Sequence, residues 1–431
     1  MIRHSPRARR RTLLTGATAA AALGASAACG DDGPAGTADD PVTIGFEWWG
    51  DEARAEITQQ AVDLFEQKNE GIKVRASFAD YPVYWEGLTT RMVSQDLPDV
   101  FQMDYPRLRQ FATNGMLLPL EGVVDTSDFR EGLLDTGKID DELIAVPVAA
   151  NHLGLIYRAD WYAEHGIDAP QPGHTWEEYG ETIRTLTAAL GEGKWGAEDW
   201  ARSYLFLEMW LYQQGASFYT EDSASLGFTK DQLLAWWETS APHIEAGDIP
   251  TFEEASSWTA DGMVEDTLAS EIRWDSAVTG LWPAVEEAGG QLALAAPPTS
   301  DPNNLGIYRK PSMQFVIAAN SENAEASAKL IEFCLTDPEA IAILGTNRGI
   351  PATNVGLESV ELDEASQAIL DYEESVAEYV APSPPAPPAA AGAIEAKYTE
   401  IYEQVQYAEL TPEAAADLFF EEAATLFASE E

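Results

Sequence analysis

The sequence predicts an α/β fold whose opening strands run parallel. Three observations carry this. Val42-Thr43-Ile44-Gly45-Phe46 alternates and runs into Glu47-Trp48-Trp49-Gly50, so a strand ends at an aromatic loop. From Ala53 to Glu70, Ile57, Ala61, Leu64 and Phe65 recur at helical spacing, and Gly71 stops the helix. Lys73 to Phe78 is then a second strand. Strand, helix, strand is how a parallel sheet begins, because parallel neighbours need a long crossover.

The pattern continues along the chain. A helix near Tyr84 to Gln95 leads to the short strand Pro98 to Met103, and another near Leu108 to Asn114 stops at Gly115. Leu143 to Ala149 reads as a strand broken by Pro147, followed by Leu153-Gly154-Leu155-Ile156-Tyr157. Thr175-Trp176-Glu177-Glu178 is a capping box, so a helix follows to about Leu190. Trp200 to Ser276 reads as mostly helical and unusually aromatic. Gln291 to Ala296 and Phe315 to Ala318 are strands, and Asp337-Pro338-Glu339 and Thr411-Pro412-Glu413 start helices. Ala381 to Ala393 is Pro- and Ala-rich and reads as a stiff loop on a domain surface.

Charge narrows the function. The chain has 431 residues, with 25 Lys and Arg against 73 Asp and Glu, a net charge of −48. No basic stripe offers a phosphate-binding face, so nucleic-acid binding is excluded. The same field disfavours a polyanionic ligand. Two cysteines rule out a disulfide framework and a Cys-rich zinc module.

The first 28 residues do not belong to the fold. Met1 to Ala28 carries Arg3, Arg7, Arg9, Arg10 and Arg11 and no acid, then an Ala-rich uncharged run. That is an export signal, too short and weakly apolar for a membrane span. Arg10-Arg11-Thr12-Leu13-Leu14 resembles a twin-arginine (Tat) export motif. Ser26-Ala27-Ala28-Cys29 resembles a lipobox, with Ser26 where Leu is usual, so Cys29 is the expected lipidation site. Residues 29–41 then form a flexible, acidic tether. Cys334 lies in an apolar helical pattern and reads as a small core residue.

Catalytic motifs are missing from the sequence. His152, His165, His174 and His243 show no metal-ligand spacing, and neither H-E-x-x-H nor G-x-S-x-G occurs. Gly191-Glu192-Gly193-Lys194-Trp195-Gly196 matches G-x-G-x-x-G, but a helix precedes it and Trp195 would obstruct a phosphate. No cofactor, metal or catalytic residue is therefore expected. The positive signal is 13 Trp, many at predicted element ends: Trp48, Trp49, Trp85, Trp195, Trp200, Trp258, Trp274 and Trp282. Sugar rings have apolar faces rimmed with hydroxyls, and an indole stacks on such a face. Most of these Trp are expected in the core, with three or four in a cleft.

The motif order then points to a family. It runs from the exported N-terminus through Ile44-Gly45-Phe46-Glu47-Trp48-Trp49-Gly50, Leu97-Pro98-Asp99-Val100-Phe101 and Ile144-Ala145-Val146-Pro147. Gly154-Leu155-Ile156-Tyr157-Arg158-Ala159-Asp160 and Phe315-Val316-Ile317-Ala318-Ala319-Asn320-Ser321 follow. This resembles the extracellular solute-binding proteins of bacterial carbohydrate ABC transporters, the maltose-binding-protein-like group, over about Val42 to Phe427.

The resemblance implies an α/β, two-lobed periplasmic-binding-protein-like fold, with discontinuous lobes joined by a hinge and the ligand cleft between. Lobe one is expected at 42–149 and 297–348, and lobe two at 150–296 and 349–431. The implied function is extracytoplasmic binding of a neutral oligosaccharide by a monomer, without catalysis. Membrane permease subunits would receive the sugar from a lipid-anchored protein outside the cytoplasmic membrane. An exported glycoside hydrolase using a carboxylate pair is the alternative. By motif, the implied ligand-binding residues are Trp48, Trp49, Asp51, Asp104, Asn151, Trp200, Tyr204, Trp274 and Asp275, with Gln314 and Arg348 as further candidates. Trp48 and Trp49 are adjacent, so their side chains diverge and one of them can belong to the core. Relatives place an aromatic on the loop at Pro382 to Ala393, and this chain has none there.

Overall fold

A computed structural model describes residues 36–428; the export signal, Cys29 and the start of the tether lie outside the described residues. The strand Val42–Trp49 buries Ile44, Phe46 and Trp48 and pairs in parallel with Ile72–Ala79, Val42 opposite Ile72 and Trp49 opposite Ala79. The helix Glu52–Lys68 makes the crossover. Asp51 caps it by accepting from the Arg54 N–H at 2.8 Å, and Ala55, Ala61, Val62 and Phe65 are the face it buries.

Six strands form the first sheet, in the order Ile350–Pro351, Val146–Asn151, Lys310–Ile317, Val100–Met103, Val42–Trp49, Ile72–Ala79. The first three strands in the chain are parallel, as expected. Lys310–Ile317 is antiparallel to both its neighbours, because the chain re-enters this sheet from the other lobe. The second lobe has a three-stranded antiparallel sheet in the order Ser270–Trp274, Leu153–Arg158, Leu292–Ala295.

Each sheet has its own core. Phe46, Phe65, Phe315, Phe333 and Cys334 pack on the first sheet, and burial pushes the Cys334 thiol up to about 12. Cys334 is thus the small core residue the pattern indicates. The second core joins Trp200, Trp210, Trp236 and Trp237 to Tyr398, Tyr402 and Phe419 of the last two helices, Ala391–Gln406 and Pro412–Ala428.

The first and last lobe crossings fall a few residues from the expected breaks, and the middle one falls much later. The strand Val146–Asn151 stays in the first sheet through Asn151, and the next begins at Leu153 in the second. Leu305 and Ile307 pack in the second core, so the return comes just before Lys310 rather than at 297. Ile350–Pro351 pairs in the first sheet, so the last departure follows 351 and not 348. Backbone pairing and burial, rather than motif ends, decide these points.

Two loops differ from their simple reading. Gly191 ends the helix Trp176–Leu190, which Thr175 starts with the expected capping box. A Cβ on Gly196 would come within 2.7 Å of the Ile183 backbone, so this glycine serves close packing rather than phosphate approach. The Pro-rich loop is also less superficial than expected: Ala386 is buried, and the segment closes one side of the cavity described next.

Candidate functional site

Tyr204, Glu208 and Tyr212 recur every four residues on the helix Tyr204–Gln213, so they share one face. All three line a cavity of about 190 Å³. Across from them, Tyr105 and Pro106 begin the first-lobe helix Tyr105–Thr113. Tyr308 and Lys310 come from the crossing segment, and Pro384, Pro385 and Pro387 from the Pro-rich loop. Elements of both lobes therefore build the site.

Hydrogen bonds hold its walls. Tyr105 Oη donates to the Pro384 carbonyl at 2.7 Å. The Ala386 carbonyl accepts from Arg109 Nε at 3.0 Å and from Ser223 Oγ at 3.2 Å, so one loop atom joins both lobes. Tyr308 Oη donates to Glu208 Oε2 at 2.7 Å, and its ring meets Tyr212 edge-on at 5.8 Å. Lys310 Nζ lies 5.1 Å from the Trp274 ring centroid, and Trp274 packs edge-on against Tyr308 at 6.4 Å.

The site is acidic. Burial raises the Glu208 carboxyl, against the opposing Tyr308 hydroxyl and Lys310. Burial likewise pushes Glu395 up to about 7; the Tyr204 hydroxyl and Lys310 oppose this, while Glu208 and Asp104 add to it. Tyrosine faces can cover the apolar faces of a sugar, and carboxylates can accept from its hydroxyls.

The expected residues scatter around this cavity. Tyr204 lines it, and Trp274 supports it through Lys310 and Tyr308. Asp104 is half-buried and accepts from Tyr81 Oη at 2.6 Å. Trp49 is half-buried and packs against Tyr81, Tyr84 and Trp85. Trp48 is instead 2% exposed in the first core, because its side of the strand faces the sheet's packed side. Trp200 belongs to the second core, where Nε1 donates to Thr239 Oγ1 at 2.9 Å. Asp51 is an exposed helix cap. Gln314 is fully buried and donates to the Thr136 carbonyl, and Arg348 is buried in the first lobe.

No tryptophan lines this cavity, whereas Trp200 and Tyr204 together line another one of about 340 Å³. Tyr105, Glu208, Tyr212, Tyr308, Lys310 and Glu395 line the former beside Tyr204 and were not among the expected residues. The four-residue repeat of Tyr204, Glu208 and Tyr212 was a signal for three wall residues.

A further cavity, about 320 Å³, runs along the crossing strands and is lined by polar groups including Arg54, Asn151, Asp275 and Ser312. It offers few ring faces. Beside it Asp275 is fully buried, its carboxylate accepting from the His152 N–H at 2.9 Å. His152 Nδ1 lies 3.5 Å from Asp275 and 3.6 Å from Glu373, and Arg130 pairs with Glu373. These three donors lie within 4.8 Å of one another, close enough to enclose a cation, and Arg130 brings a positive charge to them. Asp275 is thus part of a buried ion cluster at the first crossing rather than of the tyrosine-lined site.

Comparison with known proteins places this architecture. Residues 49–341 match the family model for bacterial extracellular solute-binding proteins. A multiple sugar-binding protein of Streptococcus mutans is 24% identical over 166 residues, 38% of each chain. A maltotriose-binding protein of Pyrococcus abyssi is 22% identical over 324 residues, 73% of this chain and 67% of that one. The first of these matches thus spans well under half of its relative's length. Among solved structures, a family 1 extracellular solute-binding protein from Alicyclobacillus acidocaldarius superposes with a TM-score of 0.73 at 27% identity. That superposition covers 90% of this chain and 98% of the other. With both lobes, the crossing strands and the cavity accounted for, the chain belongs to the family of bacterial extracellular solute-binding proteins.

Proposed function

We propose that this protein captures an uncharged oligosaccharide in the tyrosine-lined cavity and delivers it to the membrane subunits of an ABC importer, without chemical turnover. The observation that carries this reading is the Tyr204, Glu208, Tyr212 face set against Tyr105 and the Pro-rich loop of the opposing wall. The relatives' sugar-binding names support it. An uncharged sugar suits this wall, since burial already disfavours charge on Glu208 and Glu395.

The protein works as a monomer outside the cytoplasmic membrane, held there by a lipid on Cys29, and binds no nucleic acid. No helix among the described residues is long and apolar enough to cross a membrane. Lobe closure buries the sugar, and the importer receives the closed form. The ligand-binding set comprises Tyr204, Tyr212, Glu208, Glu395 and Lys310, with Trp274 and Asp104 at its margin.

A thermal-shift screen across mono- and oligosaccharides tests the reading. A sugar at 100 times its dissociation constant stabilises by about 2.7 kcal/mol. Two carboxylates near a bound sugar are also what a glycoside hydrolase needs, so the screened sugars are incubated and analysed for products. Products that vanish in Glu395→Gln would replace the binder with an enzyme. Cys29→Ala releases the protein into the medium if lipid is the anchor.

A further inference from the structure

The interior of the first lobe holds a positive charge with no carboxylate against it. Arg348 is 7% exposed. Its Nη2 donates to Thr58 Oγ1 at 2.9 Å and its Nε to Gln102 Oε1 at 3.3 Å. Nη1 has no partner, and neither has Nε2 of Gln102, which is 0% exposed. Burial, with the nearby Arg54 adding to it, pulls the guanidinium down to about 9. The Cys334 thiol, held at about 12, is no counter-ion. Beside Arg348 lies a cavity of about 40 Å³ lined also by Phe46, Thr58, Phe315 and Cys334, and Arg348 borders the polar cavity of about 320 Å³ as well.

Shortage of acid does not explain this, since the chain has 73. Arg158, the other guanidinium buried among the described residues, is paired with Asp160 and Asp266. An unpaired buried charge and an orphaned buried donor each destabilise the fold. A water would occupy the donors and leave the charge unbalanced. An anion answers both. The volume suits one occupant near the size of a water, whose share of liquid volume is about 30 Å³. Sulfate or phosphate is too large, and Phe46 and Phe315 offer its outer oxygens no donor.

We propose that Arg348, through Nη1, holds a buried monovalent anion of halide size in this cavity, chloride being the abundant one. The site anchors the segment leading to the last crossing strand, since Ser312 Oγ also donates to the Arg348 carbonyl at 2.6 Å.

Thermal unfolding of the full chain in sodium gluconate, chloride and bromide at equal ionic strength tests this. Screening of the acidic surface is common to all three salts. Chloride and bromide are expected to raise Tm above gluconate by on the order of 2 °C, and Arg348→Met to abolish the difference. Crystals grown in bromide are expected to show an anomalous peak in contact with Arg348 Nη1; this arm uses the unmodified protein and stands if the variant does not fold. Equal Tm in all three salts, or a water in place of bromide, overturns the proposal.

Discussion

Aromatic side chains build both the second core and the wall of the cavity, yet the two regions use different rings. In the core, Trp236 and Trp237 each donate a hydrogen bond from Nε1 to Tyr398 Oη at 3.1 Å, and Tyr398 Oη donates one to the Ala201 carbonyl at 2.6 Å. These indoles have large area and one donor, and that donor is spent inside the protein. In the cavity the rings are tyrosines, carried beside carboxylates and a lysine. A tyrosine keeps a hydroxyl at its edge that can both donate and accept, so the same wall can offer a face and a polar rim. Abundant Trp therefore marks the mass of the second core, while tyrosine and glutamate on one helix face mark the wall of the cavity proposed to take the ligand.

The largest effect that tests this contrast is on stability. Trp236 is fully buried, so Trp236→Ala should cost about 3–5 kcal/mol in urea unfolding. The fraction still folded should keep the wild-type order of sugar preference by calorimetry. A changed order would mean that core and cavity are not separable.

The next effect is on binding. Tyr204→Ala and Tyr212→Ala remove ring faces from the cavity while leaving the helix a good host for alanine. Each should weaken the best sugar by about 2 kcal/mol, or about 30-fold, with Tm of the free protein shifted far less than by Trp236→Ala. Wild-type affinity in both would move the site away from this cavity. Trp274→Ala should cost less, about 1 kcal/mol, because Trp274 acts by holding Lys310 over its ring. A loss larger than that of Tyr204→Ala would put Trp274 in direct contact with the sugar.

Much of the fold was legible because local rules and global packing agree. Alternation and helical spacing gave the first strand, helix and strand to within a few residues, and Thr175 and Asp337 cap the helices they announced. The site was less legible. Trp48 and Trp49 look equivalent in sequence, but the pleat sends one into the core and leaves the other half-buried. Asp275 sits next to Trp274, yet its carboxylate turns back to the His152 backbone. Tyr308 and Glu395 reach the cavity from segments that have no common sequence pattern, and only the tertiary fold brings them together. The four-residue repeat on the helix Tyr204–Gln213 was the part of the site that one element could announce alone.

The smallest effect concerns the buried polar cluster at the first crossing, which is neither core nor cavity. Burial lowers the His152 imidazole, but Asp275 and Glu373 outweigh it and hold it above its ordinary 6.5. Burial raises Glu373, but His152 and Arg130 outweigh it and hold it below its ordinary 4.5. Asp275 is raised by burial against the opposing His152, and so works the other way. By linkage, the His152 contribution is complete below pH 6.5 and is lost as pH rises through the higher folded value. The Glu373 contribution is present above pH 4.5 and is lost as pH falls through the lower folded value. The two overlap between pH 4.5 and 6.5. In that window His152→Gln should lower Tm relative to the natural chain, and the gap should close as the pH is taken to 9. A gap that stays constant, or widens with pH, would mean that His152 acts there as a neutral packing residue and that Arg130 alone balances Asp275 and Glu373.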